Sequence, residues 1–539
     1  LTSDILMAFR YFVCILFSLY FLPVFCWGRV VKIGNNTDVQ EQFIEDSVVY
    51  IVSSNIDLKG KTLSIPENSV LKFTGKGSFN NGIVKGENTV VEGLVRVRFS
   101  NVQFTGSFNL SSFSYIAFGE YTDDTKLLQA MFDLLFLSRG KCTLWLEKKR
   151  IYNVDSDTKC YAHAIYEYND VKQKKINGNE AVINDLRSRS KMGYKTYDGV
   201  FLFSNCHDIK INNLNYQNLN EDYMEICEGG ILRYKAGIEN QIGYVGSSFI
   251  LLQNDCSNID ISSDIVGARY GVKSGSYSMF WLCGSYGLKN SKLNIRANRT
   301  GYPVAIEVGD SLDIFVHSVT HHRAAYLCGI TNSNIEIEAK DIYIAPFHCL
   351  LSDTHYSKGD SINPLFKSCS NLNVKFTELG STIATNGDCY CIGFQTYNNK
   401  PFFSRTKKLI WENININVKK AAQSDVVGLF CLSRNYPNNF QEPLGFNDEY
   451  RNILVVAEDM FPTNQYCFRV RVNEYGVYDN IHFEVKAPHA AVIYDNCSDY
   501  SFDLTKVNVS QIYYSGKVRK KKSSNAKLIQ STLKNFVCL

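Results

Sequence analysis

One short phrase returns along this chain at a nearly constant interval, and that interval restricts the fold more than any other feature. Asparagine followed by an apolar, a variable and a second apolar residue occurs at Asn334-Ile335-Glu336-Ile337, Asn371-Leu372-Asn373-Val374, Asn413-Ile414-Asn415-Ile416, Asn452-Ile453-Leu454-Val455 and Asn480-Ile481-His482-Phe483. Each reads as a short strand with one apolar face. Leu293-x-Ile295, Ile314-x-Val316 and Ile335-x-Ile337 follow one another at steps of 21 residues. Cys328 to Cys349 repeats that step, and Asn371 to Asn413 spans two of them. A constant step is the mark of a solenoid, whose every coil returns its strand beside the one before. About 21 residues suit three short strands with turns, which predicts an all-β chain folded as a right-handed parallel β-helix. Leucine-rich repeats would need a Leu-x-x-Leu-x-Leu phrase that is missing, and propeller blades are about twice as long.

Composition agrees. With 45% hydrophobic, 13% aromatic and 20% charged residues in 539, the chain has enough apolar surface for a large core and is no disordered or collagen-like polymer. Forty-nine asparagines favour tight turns and left-handed backbone positions. The net charge of +4 is segregated: residues 517–539 hold seven Lys/Arg and no acid, and residues 141–195 hold twelve Lys/Arg against seven acids. No general affinity for nucleic acid follows.

Arg10 precedes an uncharged run from Tyr11 to Phe25, the length of a secretory apolar region, and Cys26-Trp27-Gly28 offers a cleavage point. The expected domains are a signal segment 1–28, a β-rich region 29–115, the β-helix 116–516 and a basic tail 517–539. No later segment reads as a membrane span, so the mature protein is expected to be exported: periplasmic, cell-surface or extracellular. Fifteen of the seventeen cysteines follow the signal. Cys206, Cys256, Cys369 and Cys497 share one local frame, as in Asn205-Cys206-His207-Asp208-Ile209 and Asp255-Cys256-Ser257-Asn258-Ile259. This predicts small buried residues stacked at one repeated corner in preference to disulfides or zinc ligands.

Thr122-Asp123-Asp124-Thr125 precedes Leu127, Leu128, Met131, Leu134 and Leu135, an amphipathic helical spacing suited to capping the solenoid, followed by the strand Cys142–Leu146. With Gln129-Ala130 in the helix, this segment resembles the start of the pectate-lyase-like superfamily of right-handed β-helix proteins. Gly119-Glu120-Tyr121 stands where that family has Asp-Gly. The alternating, glycine-punctuated stretch from Gly60 to Val91 is similar to the N-terminal part of secreted bacterial β-helix proteins of the same group. The resemblance implies a polysaccharide partner, with an anionic one among the possibilities, and a place at the bacterial cell envelope. It carries over no chemistry: the Asn-Thr-Asp, Gly-His-Gly and Arg-Ile-Lys motifs of polygalacturonases and the Arg-x-Pro-x-x-Arg pattern of calcium-dependent lyases are absent.

Five of nine histidines, His317, His321, His322, His348 and His355, fall within 39 residues. The 21-residue register puts Arg296, His317 and Glu338 in one outward column, base beside imidazole beside acid. Tyr302 and Arg323 are register equivalents near a turn, and Glu307 lies outward on another strand. Two chemistries fit. In β-elimination, His317 or His322 removes the proton α to a uronate carboxylate neutralised by Arg296 or Arg323. In hydrolysis, Glu338 pairs with Glu307 or Asp353. The expected catalytic residues are therefore His317, His322, Arg323 and Glu338. Arg296, Tyr302 and Glu307 are expected to bind substrate, with Arg189 and Lys191 of a basic loop reaching over it. No metal site or cofactor is expected: Asp353 and Asp360 lie in no recognisable calcium-binding pattern, although the sequence leaves calcium open. Two alternatives stand beside catalysis. One is a noncatalytic polysaccharide-binding or adhesion scaffold; the other is that the column is only a ladder of charge pairs.

Overall fold

The computed structural model describes residues 29–34, 38–93, 99–111, 123–155, 164–187, 199–219, 224–226, 232–234, 248–274, 287–342, 347–352, 368–380, 390–395, 410–420, 425–430, 449–457, 466–471, 477–486, 491–503, 507–508, 511–521 and 527–530. The signal segment, Arg189, Lys191, Asp353, His355 and Asp360 lie outside them. The protein is all-β: among the described residues, one α-helix and one 3-10 turn interrupt a succession of strands. These pair in parallel, apart from the antiparallel hairpin of Met224–Ile226 with Leu232–Tyr234. Two compact units divide at Asn109.

In the first unit, Val30–Ile33, Val49–Val52, Val70–Phe73 and the end of Ser78–Glu92 form one parallel ladder. Asn55–Asp57 and Thr62–Ser64 each pair with other parts of Ser78–Glu92. The steps Val49 to Val70 and Thr62 to Ile83 are both 21 residues. Val52, Leu71, Phe79, Val84 and Val91 are fully buried.

In the second unit two long ladders run side by side in sequence. One contains Ser248–Gln253, Tyr270–Ser274, the first part of Tyr302–His321, the first part of Ala325–Ile342, and Phe347–Ser352. The other carries the buried column Ile211, Ile261, Leu293, Ile314, Ile335, Val374, Ile416 and Val455, each in register with the next. Alternation along each strand sends these residues inward, and each buried side chain stabilises by about 1.5–3 kcal/mol.

The 21-residue step holds where Leu293, Ile314 and Ile335 lie side by side. Elsewhere two expectations are corrected. Asn371 and Asn413 are direct neighbours, so their 42 residues make one step and not two. Cys328 pairs with Ser352 while Cys349 pairs with Ala325, so these cysteines are not equivalent despite their spacing. Parallel pairing depends only on where the chain re-enters the ladder, so residues added between strands leave the register intact.

The asparagines are explained by the corners. Asn332, Asn371, Asn413, Asn452 and Asn480 all have φ between 50° and 56°. Their side chains form a continuous amide ladder, each Nδ2 donating to the preceding Oδ1 over 2.9–3.1 Å. Asparagine tolerates the left-handed backbone better than other non-glycine residues, and its amide both donates and accepts, so it can stack on itself. The cysteines occupy a neighbouring inward position. Cys206 and Cys256 are adjacent in the stack, Cys369 lies further along it, and all three are buried free thiols. Burial pushes the Cys206 thiol up to about 12.

The expected capping helix is Thr125–Phe136. Phe132 packs on Tyr166 and Phe201 with ring centroids 4.9 Å away, and Phe136 packs 4.4 Å from Tyr168. Its apolar face thus covers the first strand of the ladder, Ala164–Asn169. Asp123 accepts from the backbone N–H of Thr125 at 2.9 Å, a turn bond at the residue before the N-cap, Asp124. Asp124 instead meets Arg150 and the backbone N–H of Asn153. At the other end Gln511–Lys521 pairs with Ala491–Asp503, so strand backbone continues through residues 517–521.

Candidate functional site

Three strands, Gly287–Thr300, Tyr302–His321 and Ala325–Ile342, present alternate residues outward beside the buried column. Register then generates three outward rows. Lys292, Asp313, Asn334, Asn373 and Asn415 form the first; Asn294, Phe315, Glu336, Lys375 and Asn417 the second; Arg296, His317, Glu338 and Thr377 the third. The first two rows, Asn294 apart, line a trough of about 550 Å³. The third borders it, two residues further along the same strands and so about 7 Å away.

The expected column of base, imidazole and acid therefore exists. Arg296 is the register partner of His317, and His317 of Glu338. Nδ1 of His317 lies 3.0 Å from Oε2 of Glu338, with side chains 39% and 34% exposed. That exposure leaves the pair open to solvent beside the trough. Glu338 fixes the imidazole by accepting from Nδ1–H, which leaves Nε2 as the basic nitrogen. Within the trough, Lys375 pairs with Glu336 at 3.1 Å, and Asn334, Asn373 and Asn415 continue an amide row from Asp313.

Tyr302, His322 and Arg323 belong elsewhere. The Tyr302 ring stacks on Tyr270 at 5.1 Å and is only 7% exposed. The Arg269 guanidinium lies 4.6 Å over Tyr302, and that of Arg323 lies 5.4 Å over Tyr326. His322 packs its edge against Tyr302 at 5.0 Å. Its backbone N–H and that of Arg323 both donate to the Gly301 carbonyl. Burial, then the charges of Arg323 and Arg269, hold His322 well below its ordinary pKa. A neutral, packed imidazole at a tight corner is a structural element, so His322 and Arg323 do not join the His317 column. Glu307 pairs in register with Cys328 on the other ladder, so the carboxylate pair Glu307–Glu338 is not assembled. Nearby, burial lowers the Lys273 amine to about 8, against the opposing charge of Glu307.

The histidine cluster is thus divided by backbone direction. His317 points outward and His322 sits at the corner, while His321 and His348 are interior. Sequence reasoning missed the trough: Phe315, Glu336 and Lys375 attracted no attention singly. The signal was there, because Asn294, Phe315 and Glu336 stand two residues before Arg296, His317 and Glu338 and share their face. Among the described residues no group of three His, Cys, Asp or Glu side chains is placed to hold a metal. No helix among them is long and apolar enough to cross a membrane. No protein-family model matches the chain, and no curated protein matches it.

Proposed function

We propose that this protein is an exported right-handed parallel β-helix that binds an acidic polysaccharide along the trough and cleaves it by β-elimination beside the Arg296–His317–Glu338 row. The parallel ladders, the 21-residue step and the helix over the first strand support the solenoid. The run before Gly28 supports export. The single observation that carries the chemistry is the 3.0 Å His317–Glu338 contact, partly exposed and flanked by Arg296, at the edge of a trough.

In this reading Arg296 neutralises a uronate carboxylate, which makes the proton on the adjacent ring carbon more acidic. Nε2 of His317 takes that proton while Glu338 stabilises the imidazolium that forms. The electron pair left on carbon forms the new double bond, the glycosidic C–O bond breaks, and the leaving oxygen takes a proton from water. Elimination fits better than hydrolysis because the register joins His317 to an acid and a base, whereas of the second carboxylates named for hydrolysis Glu307 stands on the other ladder and Asp353 lies outside the described residues.

A noncatalytic binder is the second reading, favoured by the Lys375–Glu336 pair, which already satisfies its own charges. Incubation with a panel of uronic-acid polymers, following the absorbance of unsaturated ends together with reducing ends, separates the two. Both signals from one polymer are expected. Retention on a polymer without either signal supports the binder and ends the lyase reading.

A further inference from the structure

Beneath the outward row lies a second polar chain, sealed inside the protein. Ser318, His321, His348 and Glu378 are 0%, 2%, 0% and 0% exposed. Oγ of Ser318 is 3.0 Å from Nδ1 of His321, Nε2 of His321 is 2.7 Å from Nδ1 of His348, and Nε2 of His348 approaches Oε2 of Glu378 at 3.3 Å. We propose that these four residues form a one-proton relay, whose imidazole pair accepts one added proton by reversing its hydrogen bonds and is broken by a second.

The geometry dictates this count. With both imidazoles neutral and Glu378 a carboxylate, Ser318 donates to His321 and His321 donates to His348, whose Nε2 lies 3.3 Å from Oε2 of Glu378 as a charge contact without hydrogen-bond alignment. One more proton on His348 makes its Nδ1 a donor. His321 then accepts through Nε2 and donates through Nδ1 to the Ser318 oxygen, so both hydrogen bonds among Ser318, His321 and His348 are still matched. A second proton added to the two imidazoles sets N–H against N–H across 2.7 Å, and places a second positive charge in an interior that cannot solvate it. Burial and the charge of His348 hold His321 well below its ordinary pKa, in keeping with a ring that stays neutral in both states.

The charged and titratable neighbours do not remove this limit. His322 follows His321 at the corner, where its own pKa is lowered. Asp341, raised by burial first, faces Glu378 and His348 and is paired with Lys340. Cys349 and Cys369 are buried thiols, and the Phe376 ring lies 5.3 Å from His348. The relay is independent of the lyase reading: it concerns which protons the fold admits.

The excluded proton has a sign. His321 is depressed in the folded state, so its contribution is complete above about pH 6.5 and lost as pH falls. The folding equilibrium constant declines roughly tenfold per pH unit on its account. The test is imidazole nitrogen NMR of the full chain between about pH 8 and pH 5, joined to urea unfolding across that range. Expected is His321 neutral throughout, changing from an Nε2–H to an Nδ1–H tautomer as His348 gains its proton. An imidazolium at His321 in folded protein, or no proton change at either ring, overturns the proposal. In unfolding, Ser318→Ala/His321→Phe should lose the His321 increment and keep the separate one of the depressed His322, while His322→Gln should do the reverse. An acid slope in Ser318→Ala/His321→Phe equal to that of the wild type also overturns it.

Discussion

Nδ1 of His317 contacts Oε2 of Glu338 at 3.0 Å across two strands whose register makes residues 21 apart side-by-side neighbours. The relationship ties the repeat to the chemistry. A slip of one residue in the pairing of these two strands would turn one partner into the interior, because side chains alternate faces with a period of two. The same register that buries Ile314 against Ile335 therefore brings an acid to an imidazole outside.

His317→Ala should lower turnover on the responsive polymer by about 10²–10⁴-fold, the usual contribution of a positioned general base. Stability should change by no more than about 0.5 kcal/mol, because a pair this exposed is weakly stabilising. Steady-state kinetics with a thermal melt measures both; unchanged turnover would eliminate His317 as the base.

Lys375→Ala tests the trough. Lys375 touches Glu336 at 3.1 Å and lies a row away from His317, so its loss should raise KM several-fold and leave kcat nearly unchanged. Added salt should weaken wild-type binding more than that of the variant. A fall in kcat alone would place Lys375 in the chemistry instead.

Asn371→Ala should destabilise the protein by about 1–3 kcal/mol, since it breaks two ladder hydrogen bonds and forces alanine into the left-handed region. Asn371→Gly restores the backbone freedom but not the ladder, and should recover part of the loss. Denaturant midpoints for the two variants separate the backbone and amide contributions.

Gly267→Ala should cost about 3 kcal/mol or more. Gly267 has φ +75°, and a Cβ there would meet the Asn218 carbonyl oxygen at 2.0 Å. A thermal melt matching the wild type would show that this corner relaxes freely.

Cys206, Cys256 and Cys349 should resist alkylation in the native protein at about pH 8 and react once it is unfolded. Burial raises all three thiols, Cys206 to about 12, so thiolate is scarce and access is blocked. Mass spectrometry of alkylated peptides with and without guanidinium resolves each site.

Much of this was legible in the chain. The alternation around Leu293, Ile314 and Ile335, the helix at Thr125–Phe136 and the row Arg296, His317, Glu338 follow from periodicity and a constant interval. Tyr302 and Arg323 were equally well placed by arithmetic, yet equivalence in register says nothing about burial. Their rings and guanidinium groups pack into an aromatic and cationic cluster with Tyr270, Arg269 and Tyr326. The frame of Asn371 and Asn413 was visible too, but counting residues misjudged how many strands separate them.

By itself the sequence determined which strand residues around Leu293, Ile314 and Ile335 face in or out, since that depends on local alternation and on the left-handed corners asparagine permits. The tertiary structure alone decided which outward side chains become neighbours once the interval varies, and which histidines are enclosed. A parallel ladder is defined by where the chain returns, and the residues spent between strands carry no record of that return. His317 meets Glu338 in the open while His321, four residues on, meets His348 in the interior, because the backbone turns a corner between them.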